Sequence, residues 1–435
     1  MRTALAALLI ALGAALPAHA QTPSAPSVPM GRPLKLEEAI AIALDGQPDI
    51  QARLGDYAAA RFRVDQALAP LLPQLTGTAT TTKSQQAIFP QTLTAATPIT
   101  ITREFNQTFS TQASVSQLLF DFGKNFAAID VARKNAEVAH EDVELQRQLI
   151  TQTVKQAFSN MNFNRRLIRV TQQALERGEL NLRSARGFFE VGTRPKSDVT
   201  RAEVDVANAN VDLIRARNAE RLARVALNTA MGIPADSVTD IVDNLAYAPV
   251  GLDRAKLQLQ ALEQRPEYRQ AKIRVDAADA FVRQTFRNFF PDITGTAAYG
   301  GFQPDLLTAW SATLNFSWSL FDGGGRIGRY RESKAALEAA QARLRSQALS
   351  ISREVEQAVI VVVEANERIQ AALKAVESAQ ENFRLAQGRF DAGVGTILEL
   401  TDAQLALTQT QNTEAQALQD LQVGLAFLDR AVGRR

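Results

Sequence analysis

Residues 71–79 read Leu-Leu-Pro-Gln-Leu-Thr-Gly-Thr-Ala, and residues 289–297 read Phe-Phe-Pro-Asp-Ile-Thr-Gly-Thr-Ala. Further matches follow in the same order along the chain, namely Phe120-Asp121 with Phe321-Asp322 and Gly192 with Gly393. The net spacing differs only in the stretch before Phe321, which is shorter in the second copy. Solenoid repeats are typically about 20–50 residues long. The sequence therefore predicts one larger structural unit that occurs twice.

Each repeat is predicted to contain a helix, a β-hairpin, a long helix and a return helix. Repeat 1 covers residues 34–232, with its hairpin at about 74–120, its long helix at 125–189 and its return helix at 196–231. Repeat 2 covers residues 252–433, with its hairpin at about 291–321, its long helix at 328–390 and its return helix at 397–432. Residues 233–251 are predicted to be a linker, or an equatorial segment, between them.

The N-terminal residues indicate export. Residues 1–20 have the pattern of a secretory signal peptide, in which a basic Arg2 precedes an apolar run and Ala18-His19-Ala20 ends it. Residues 21–33 are rich in Pro and Ser and are predicted to form an extended leader. The mature chain is therefore expected to lie outside the cytoplasm.

Composition argues against several function classes. The chain has no cysteine, so it offers no disulfide, no reactive thiol and no lipid-anchoring cysteine. Its histidines are His19 in the signal peptide and His140, which leaves no histidine cluster for zinc and no Ser-His-Asp triad. The net charge of +2 gives no sign of a nucleic-acid partner. We predict no enzyme activity, no catalytic residues, no metal and no cofactor.

The clearest strand runs from Trp310 to Phe321. Its even positions are apolar, Trp310, Ala312, Leu314, Phe316, Trp318 and Leu320, and its odd positions are polar, Ser311, Thr313, Asn315, Ser317 and Ser319. Such alternation predicts a strand with one apolar and one polar face. A barrel in lipid shows this pattern, and so does a soluble sandwich. Because four strands cannot close a barrel, a membrane reading requires several copies of the chain, in a number that the alternation leaves open.

The helices are unusually long. Each long helix has more than 60 residues, which corresponds to roughly 90–100 Å. The two shorter helices of a repeat together match that length, so we expect them to stack end to end along the long helix. Pro48 and Pro266 are expected to interrupt the first helix of each repeat.

These features together resemble a known family. The ordered set consists of the duplication, two strands per half, paired long and short helices, Phe-x-x-Gly hairpins, and the turns Leu119-Phe120-Asp121-Phe122-Gly123 and Leu320-Phe321-Asp322-Gly323-Gly324. From about Leu34 to Gly433 the chain is similar to the TolC-type outer-membrane efflux proteins.

The resemblance implies a mostly α fold with a small β part. Each protomer would add four strands to a trimeric 12-stranded barrel in the Gram-negative outer membrane, continued by a long α-helical barrel across the periplasm. Its function would be the exit duct of a tripartite efflux or type I secretion system. Its partners would be two further copies of itself, a periplasmic membrane-fusion adaptor, an inner-membrane transporter through that adaptor, and outer-membrane lipid. Lipid would contact Trp310, Leu314, Phe316 and Trp318.

The candidate site residues lie where the long helices turn back. Their residue types are those of ordinary helix turns, yet these turns are the far ends of the hairpins, where a tunnel can close or an adaptor can dock. The predicted docking residues are Gly192, Thr193, Arg194, Gly393, Val394 and Gly395.

The predicted periplasmic gate comprises Glu399, Asp402, Phe390, Asp198 and Arg201. The spacing of Glu399 and Asp402 places them on one helix face, and Thr396 to Glu399 also fits a capping box. The resemblance implies instead an acidic ring at a constriction. Asp198 and Arg201 fit either a lock or an exposed ion pair. The family has a basic residue where this chain has Gly395, so a lock through that position is not expected.

Two other protein classes fit parts of the pattern. A secreted structural or adhesive coiled-coil protein would account for the long helices but not for the hairpins. A periplasmic adaptor would account for a helical hairpin, although adaptors have one hairpin and several β-domains. The sequence leaves open the transported substrate, the transporter class and whether salt bridges hold the gate closed.

Overall fold

The computed structural model describes residues 32–88, 102–243, 245, 247, 251–302 and 307–434, without the side chains of 86–88, 102–106, 302 and 307. The first half contains α1 (Leu36–Gly46), α2 (Pro48–Leu68), a 3-10 turn (Ala69–Leu71), β1 (Gln74–Ile88), β2 (Thr102–Phe120), α3 (Lys124–Glu190) and α4 (Lys196–Ala230). The second half contains α5 (Arg254–Gln264), α6 (Pro266–Arg287), β3 (Asp292–Phe302), β4 (Leu307–Ser317), α7 (Gly325–Asp391) and α8 (Ile397–Ala431). The fold is thus mostly helical with one small sheet.

The long helices α3 and α7 set the dimensions of the molecule. Each has 67 residues, which corresponds to about 100 Å at the usual helical rise. Proline divides the shorter helices as expected, because the residue before it must be extended. Gln47 precedes Pro48 with ψ 120°, and Arg265 precedes Pro266 with ψ 125°. Within the described part of the chain, no helix is both long enough and apolar enough to span a membrane.

The shorter helices stack end to end along the long ones. The C-terminal end of α4 meets the start of α2, where a Cβ at Gly232 would lie 3.0 Å from the Cα of Gln47. The C-terminal end of α8 meets the junction of α5 and α6, where a Cβ at Gly433 would lie 2.8 Å from the carbonyl carbon of Gln264. Both glycines also have positive φ angles, 73° and 82°. Glycine therefore suits these joints both because the neighbouring backbone leaves no room for a side chain and because the backbone is left-handed.

Two apolar cores lie near these joints. One contains Ile150, Val154, Phe158 and Met161 of α3 packed on α1 and α4, with Leu227 and Met231 among its members. The other contains Ile351, Val355, Val359 and Val362 of α7 packed on α5 and α8. The valine-rich stretch of α7 is therefore a buried helix, as its flanking sequence predicts, despite the β propensity of valine.

The four strands form one antiparallel sheet in the order β1-β2-β3-β4. Directly opposed residues share a face in such a sheet, and the register places Trp310 opposite Tyr299 and Phe316 opposite Ile293. On the same face, Tyr299 is opposite Ala113 and Ile293 is opposite Phe120. We call this the apolar sheet face. The alternate residues, including Ser311, Thr313, Asn315, Thr294, Thr296, Ser114 and Ser116, form a polar face.

The strand bounds differ from the predicted ones. β4 ends at Ser317, so Trp318, predicted within the strand, lies just beyond it, and its Nε1 donates to the carbonyl of Phe289 at 3.1 Å. The chain leaves the sheet here because it must turn into α7. In the first half, β1 extends to Ile88 and pairs with Thr102, where the sequence suggests a loop from 84 to 106. Residues 89–101 of that segment lie outside the described residues.

Aspartates start both long helices. Asp121 accepts hydrogen bonds from the backbone N–H of Gly123 at 2.9 Å and of Asn125 at 2.7 Å. Asp322 accepts one from the N–H of Arg326 at 2.9 Å. These bonds satisfy donors that a helix N-terminus leaves free, which confirms the structural role expected for both residues.

A buried arginine joins α5, α6 and α7. Arg265 is only 2% exposed, and its guanidinium donates to Glu354 at 2.5 Å and to Glu267 at 2.7 Å. Burial alone raises the pKa of Glu267, but the hydrogen bonds and positive charge of Arg265 outweigh burial and hold that pKa below its ordinary value. The carboxylate of Glu267 therefore stabilises the fold at neutral pH, and that contribution is lost as the pH falls through its lowered pKa.

We predict that Arg265→Met destabilises the protein by about 3–5 kcal/mol at neutral pH, because it leaves two carboxylates without their buried cation. The deficit relative to wild type should shrink in acid, where protonation neutralises the stranded carboxylates in the variant while the wild type loses its own ion pairs. Thermal unfolding followed by circular dichroism at pH values from neutral to about 4 measures both effects.

Arg254→Met is the matched control, since Arg254 pairs with Glu356 of α7 at 2.9 Å but is 59% exposed. Its cost should stay below about 1 kcal/mol. Equal costs for the two variants would contradict the importance of the buried network.

Candidate functional site at the helix hairpin ends

The two hairpins turn in the same way at their ends. After α3, Gly192 adopts a φ of 76° and the N–H of Thr193 donates to the carbonyl of Phe188 at 3.0 Å. After α7, Gly393 adopts a φ of 75° and the N–H of Val394 donates to the carbonyl of Arg389 at 3.0 Å. Such a bond across a left-handed residue is the usual way in which a helix terminates at glycine.

Four of the six predicted docking residues are exposed. Gly192, Thr193, Gly393 and Val394 lie at the surface, and 71% of Val394 is accessible. The other two are covered within one copy of the chain, so their docking role stays a prediction. Gly395 is buried, and the side chain of Arg194 is only 12% exposed.

Arg194 joins the two hairpins. Its Nη2 donates to the carbonyl of Gly395 at 2.6 Å, and its guanidinium carbon lies 4.6 Å from the centre of the Phe390 ring. Nη1 lies 3.7 Å from a carboxylate oxygen of Asp198, which is 15% exposed. A guanidinium can stack on an aromatic ring and can also donate hydrogen bonds from its edge, and Arg194 does both. We call this set Arg194, Asp198, Phe390 and Gly395 the hairpin clasp.

Phe390 is fully buried within one copy of the chain, and its role at a constriction stays a prediction. Its ring packs on Ile397 and Leu400 of α8 and meets Phe188 of α3 edge to face at 5.7 Å. The aromatic pair and the apolar residues around it hold the hairpins together, because such contacts add to ordinary apolar burial.

Arg201 does not take part in the clasp. The predicted ion pair between Asp198 and Arg201 is replaced by the one with Arg194, one turn earlier on the other side of Asp198. Arg201 is exposed and forms no ion pair with any residue that the structure describes. Arg194 wins because its stacking and its bond to Gly395 already fix its guanidinium beside Asp198.

Glu399 is only half of a capping box. The N-cap side chain of Thr396 accepts a hydrogen bond from the N–H of Glu399 at 3.1 Å, but the Glu399 carboxylate lies 3.6 Å from Nε of Arg389 instead. Both side chains of that pair are substantially exposed, at 49% and 60%. Asp402 is exposed on the same helix face and makes no ion pair within the described part of the chain. Both carboxylates therefore remain available to solvent.

The absence of a side chain at position 395 has a steric cause. A Cβ there would lie 2.9 Å from the Cβ of Arg389 and 3.0 Å from its carbonyl carbon. The N–H of Gly395 also donates to the carbonyl of Arg389 at 2.8 Å. The turn that contains Gly395 thus packs closely on the end of α7. The cation that contacts this turn is Arg194, which belongs to the other hairpin.

Sequence reasoning missed a polar seam formed by residues within one helical turn of Asp402. Asn181 of α3 donates to Oε1 of Gln404 at 2.7 Å, and Thr401 donates to Asp205 of α4 at 3.0 Å. A groove of about 250 Å³ opens beside these residues. No motif in the sequence marks this seam.

A second arginine–aromatic contact was also missed. The guanidinium of Arg177 lies 5.8 Å from the centre of the Phe383 ring, again from the first hairpin to the second. Burial lowers the pKa of Arg177. No group of three or more His, Asp or Glu side chains suited to a metal ion occurs among the described residues.

Comparison with known proteins places this geometry in context. The sequence pattern of the outer membrane efflux protein family matches residues 39–233 and 257–434. The chain is 24% identical to nodulation protein T of Rhizobium leguminosarum bv. trifolii, over 92% of this chain and 84% of that protein. It is also 24% identical to the probable efflux pump outer membrane protein TtgC of Pseudomonas putida, over 66% of this chain and 59% of that protein.

A solved structure has the same fold. The outer-membrane channel OprN superposes with a TM-score of 0.79 and 21% identity, over 92% of this chain and 90% of that one. The likeness extends over the sheet and both hairpins, since it covers nearly the whole described chain.

We predict that Arg194→Ala loosens both hairpin ends. Amide hydrogen exchange at residues 190–198 and 390–396 should accelerate by about tenfold, because a hydrogen bond and a cation–π contact are together worth roughly 1–2 kcal/mol. Arg194→Lys should give an intermediate rate, since it keeps the charge but not the planar fork. Hydrogen–deuterium exchange with mass spectrometry measures these rates.

The control is Arg201→Ala, which removes an equal charge from an exposed position in α4, the helix that follows Arg194. It should leave exchange unchanged at both ends. If Arg194→Ala accelerates exchange only in its own hairpin, the clasp does not join the two.

Proposed function

Because this chain belongs to the outer membrane efflux protein family, we propose that three copies of it form a gated exit channel for a tripartite pump. The sheet carries the proposal, because it combines a continuous apolar face with two unpaired edges. The family match does not favour the two other classes considered from the sequence, a secreted coiled-coil protein and a periplasmic adaptor.

The sheet supports assembly of several copies. β1 and β4 are edge strands within the described sheet, and an unpaired edge exposes backbone N–H and C=O groups that lipid cannot satisfy. Pairing β4 of one copy with β1 of the next removes both edges. Three copies of a four-stranded sheet give a 12-stranded barrel, which lies within the range of sizes known for outer-membrane barrels.

The exposed apolar side chains support a lipid-facing surface. Trp310 is 78% exposed, Leu314 70% and Phe316 60%, and all three lie on the apolar sheet face. The opposite face carries serine, threonine and asparagine, which suit a water-filled interior. We infer an outer-membrane location, with α3 and α7 extending about 100 Å into the periplasm.

The hairpin ends are the proposed periplasmic gate and docking surface. The exposed residues Gly192, Thr193, Gly393 and Val394 would meet a membrane-fusion adaptor, which would in turn hold an inner-membrane transporter. The hairpin clasp would keep the two hairpins of a protomer together, and gate opening would require its bonds to change. A pump for small molecules is favoured over type I secretion by the relative that is named as a probable efflux pump outer membrane protein.

Glu399 and Asp402 would supply six carboxylates around the inner end of the tube. A narrow ring of like charge attracts cations and raises the energy of anions in transit. The ion pair of Glu399 with Arg389 is exposed, so it is weak and leaves most of this field in place.

We predict that wild-type protein forms channels in planar lipid bilayers that trivalent cations block from the periplasmic side. Glu399→Ala combined with Asp402→Ala should weaken this block by about a hundredfold or more, because each lost carboxylate near a multivalent ion removes roughly 1–2 kcal/mol per copy. Single-channel current as a function of the concentration of hexamminecobalt(III) measures the block.

Asp236→Ala with Glu263→Ala is the control, since both residues are exposed, unpaired within the described structure and distant from the hairpin ends. It should leave the block unchanged. Channels with equal block in all three proteins would remove Glu399 and Asp402 from the constriction, and a failure to form channels would contradict the proposed function itself.

A further inference from the structure

We propose that the start of α7 binds the anionic headgroups of phospholipids through the cations Arg331 and Lys334. The apolar Ile327 shares their helix face, and we call the three residues together the basic face. This inference rests on the proposed membrane location of the sheet. It concerns a different surface from the gate, at the opposite end of the long helix.

The apolar sheet face continues toward the helices through a bulge. The register between β2 and β3 shifts between Leu118 and Phe120, so that Phe120 lies opposite Ile293. Without the bulge, strand alternation would turn Phe120 to the polar face. The side chain of Leu119 lies over Gly295 on the same apolar face, with its Cδ1 3.4 Å from the position of a Cβ there.

A chain of aromatic rings leads from this face to α7. The ring of Phe120 is 4.7 Å from that of Phe122, which stacks on Phe290 at 5.2 Å. Phe290 meets Phe286 at 5.8 Å, and Phe286 meets Tyr330 at 5.8 Å. The four phenylalanines of this chain are 40–53% exposed. Exposed aromatic rings at the end of an apolar face are typical of a membrane–water interface.

Lys334 lies beside these rings, and Arg331 shares a helix face with it. The Nζ of Lys334 lies over the Tyr330 ring at 4.8 Å. Ile327, Arg331 and Lys334 are spaced i, i+4 and i+7 and so share one helix face, and all three are exposed. Neither cation has a carboxylate within ion-pair distance in the described structure, and Glu338, one turn further from the sheet, makes no ion pair with Lys334.

The placement of these cations opposes the helix dipole. Four basic residues, Arg326, Arg329, Arg331 and Lys334, occur within the first ten residues of α7, and no acidic residue lies in its first turn. The positive end of a helix favours acids and disfavours bases. Arg326 pairs with Asp322, whereas Arg331 and Lys334 form no ion pair within the described part of the chain.

The spacing fits the headgroup layer of a bilayer. Phe321 is 87% exposed and Ile327 50%, and both precede the cations along the chain. Ile327 and Lys334 are separated by roughly 10 Å along the helix axis, which is enough to cross a headgroup layer of about 5–8 Å. Long basic side chains at this level reach back to lipid phosphates.

The experiment uses the two tryptophans as depth markers. Trp318 is bonded to the carbonyl of Phe289, whose ring lies 6.3 Å from that of Tyr330, so it reports on the basic face. Trp310 pairs with Tyr299 near the other end of β4. The full-length protein carrying Trp310→Phe is reconstituted in phosphatidylcholine bilayers that contain brominated phosphatidylglycerol or brominated phosphatidylcholine at equal mole fraction.

Brominated phosphatidylglycerol should quench Trp318 with an apparent affinity about thirtyfold above that of brominated phosphatidylcholine, the factor expected from two basic residues near an anionic surface. The preference should fall to near one in Arg331→Gln/Lys334→Gln and in high salt. Arg329→Gln/Arg343→Gln is the matched control, because it removes two exposed charges from the other side of the same helix and should retain the preference.

Trp318→Phe, in which Trp310 is the reporter, should show no change between the two double variants. The lipid site would be overturned if both brominated lipids quenched Trp318 equally in the Trp310→Phe protein. It would also be overturned if the preference for phosphatidylglycerol survived Arg331→Gln/Lys334→Gln. Absence of quenching by either lipid for both tryptophans would instead overturn the membrane location on which it rests.

Discussion

The unpaired edges of a four-stranded sheet are the constraint on which this structure depends. One face of the sheet is apolar and exposed from Trp310 to Phe316, and the lipid that we propose around it cannot satisfy the free backbone groups of β1 and β4. A single copy is therefore incomplete in lipid. Several copies that close the sheet on itself would satisfy both free edges, and the long helices of each copy would then continue below the closed sheet.

In the proposed channel, the helical part must keep a long tube rigid and still let it open. Stacked short helices cover the long ones, and buried groups such as Arg265 fix the joints between them. At the far end the two hairpins are joined by a small apolar cluster around Phe390 and by Arg194, which forms its cross-hairpin bond over a sequence separation of 201 residues. We therefore propose the hairpin ends, where the packed cluster is small, as the part that opens.

Local patterns predicted the elements but not their contacts. Alternation from Trp310 identified the sheet, and Pro48 and Pro266 located the helix breaks, because both signals act within one element. The burial of Phe390 and Arg194 could not be predicted, because it depends on how two hairpins that are distant in the sequence pack together. Trp318 was assigned to the strand since its alternation continues, although the chain had already begun its turn toward α7. The basic face was not predicted, because its link to the apolar sheet face depends on the bulge in β2, and no sequence pattern marks that bulge.

Disulfide trapping across the proposed copy-to-copy strand pair tests the central claim most directly, because the chain has no cysteine of its own. Cysteine pairs would combine Thr76, Thr78 or Thr80 of β1 with Ser311, Thr313 or Asn315 of β4, all in the full-length protein in bilayers. The account predicts that at least one register gives a ladder of covalent species on a denaturing gel that ends at the trimer. Monomer alone at every register, or a ladder that ends at another size, would contradict it.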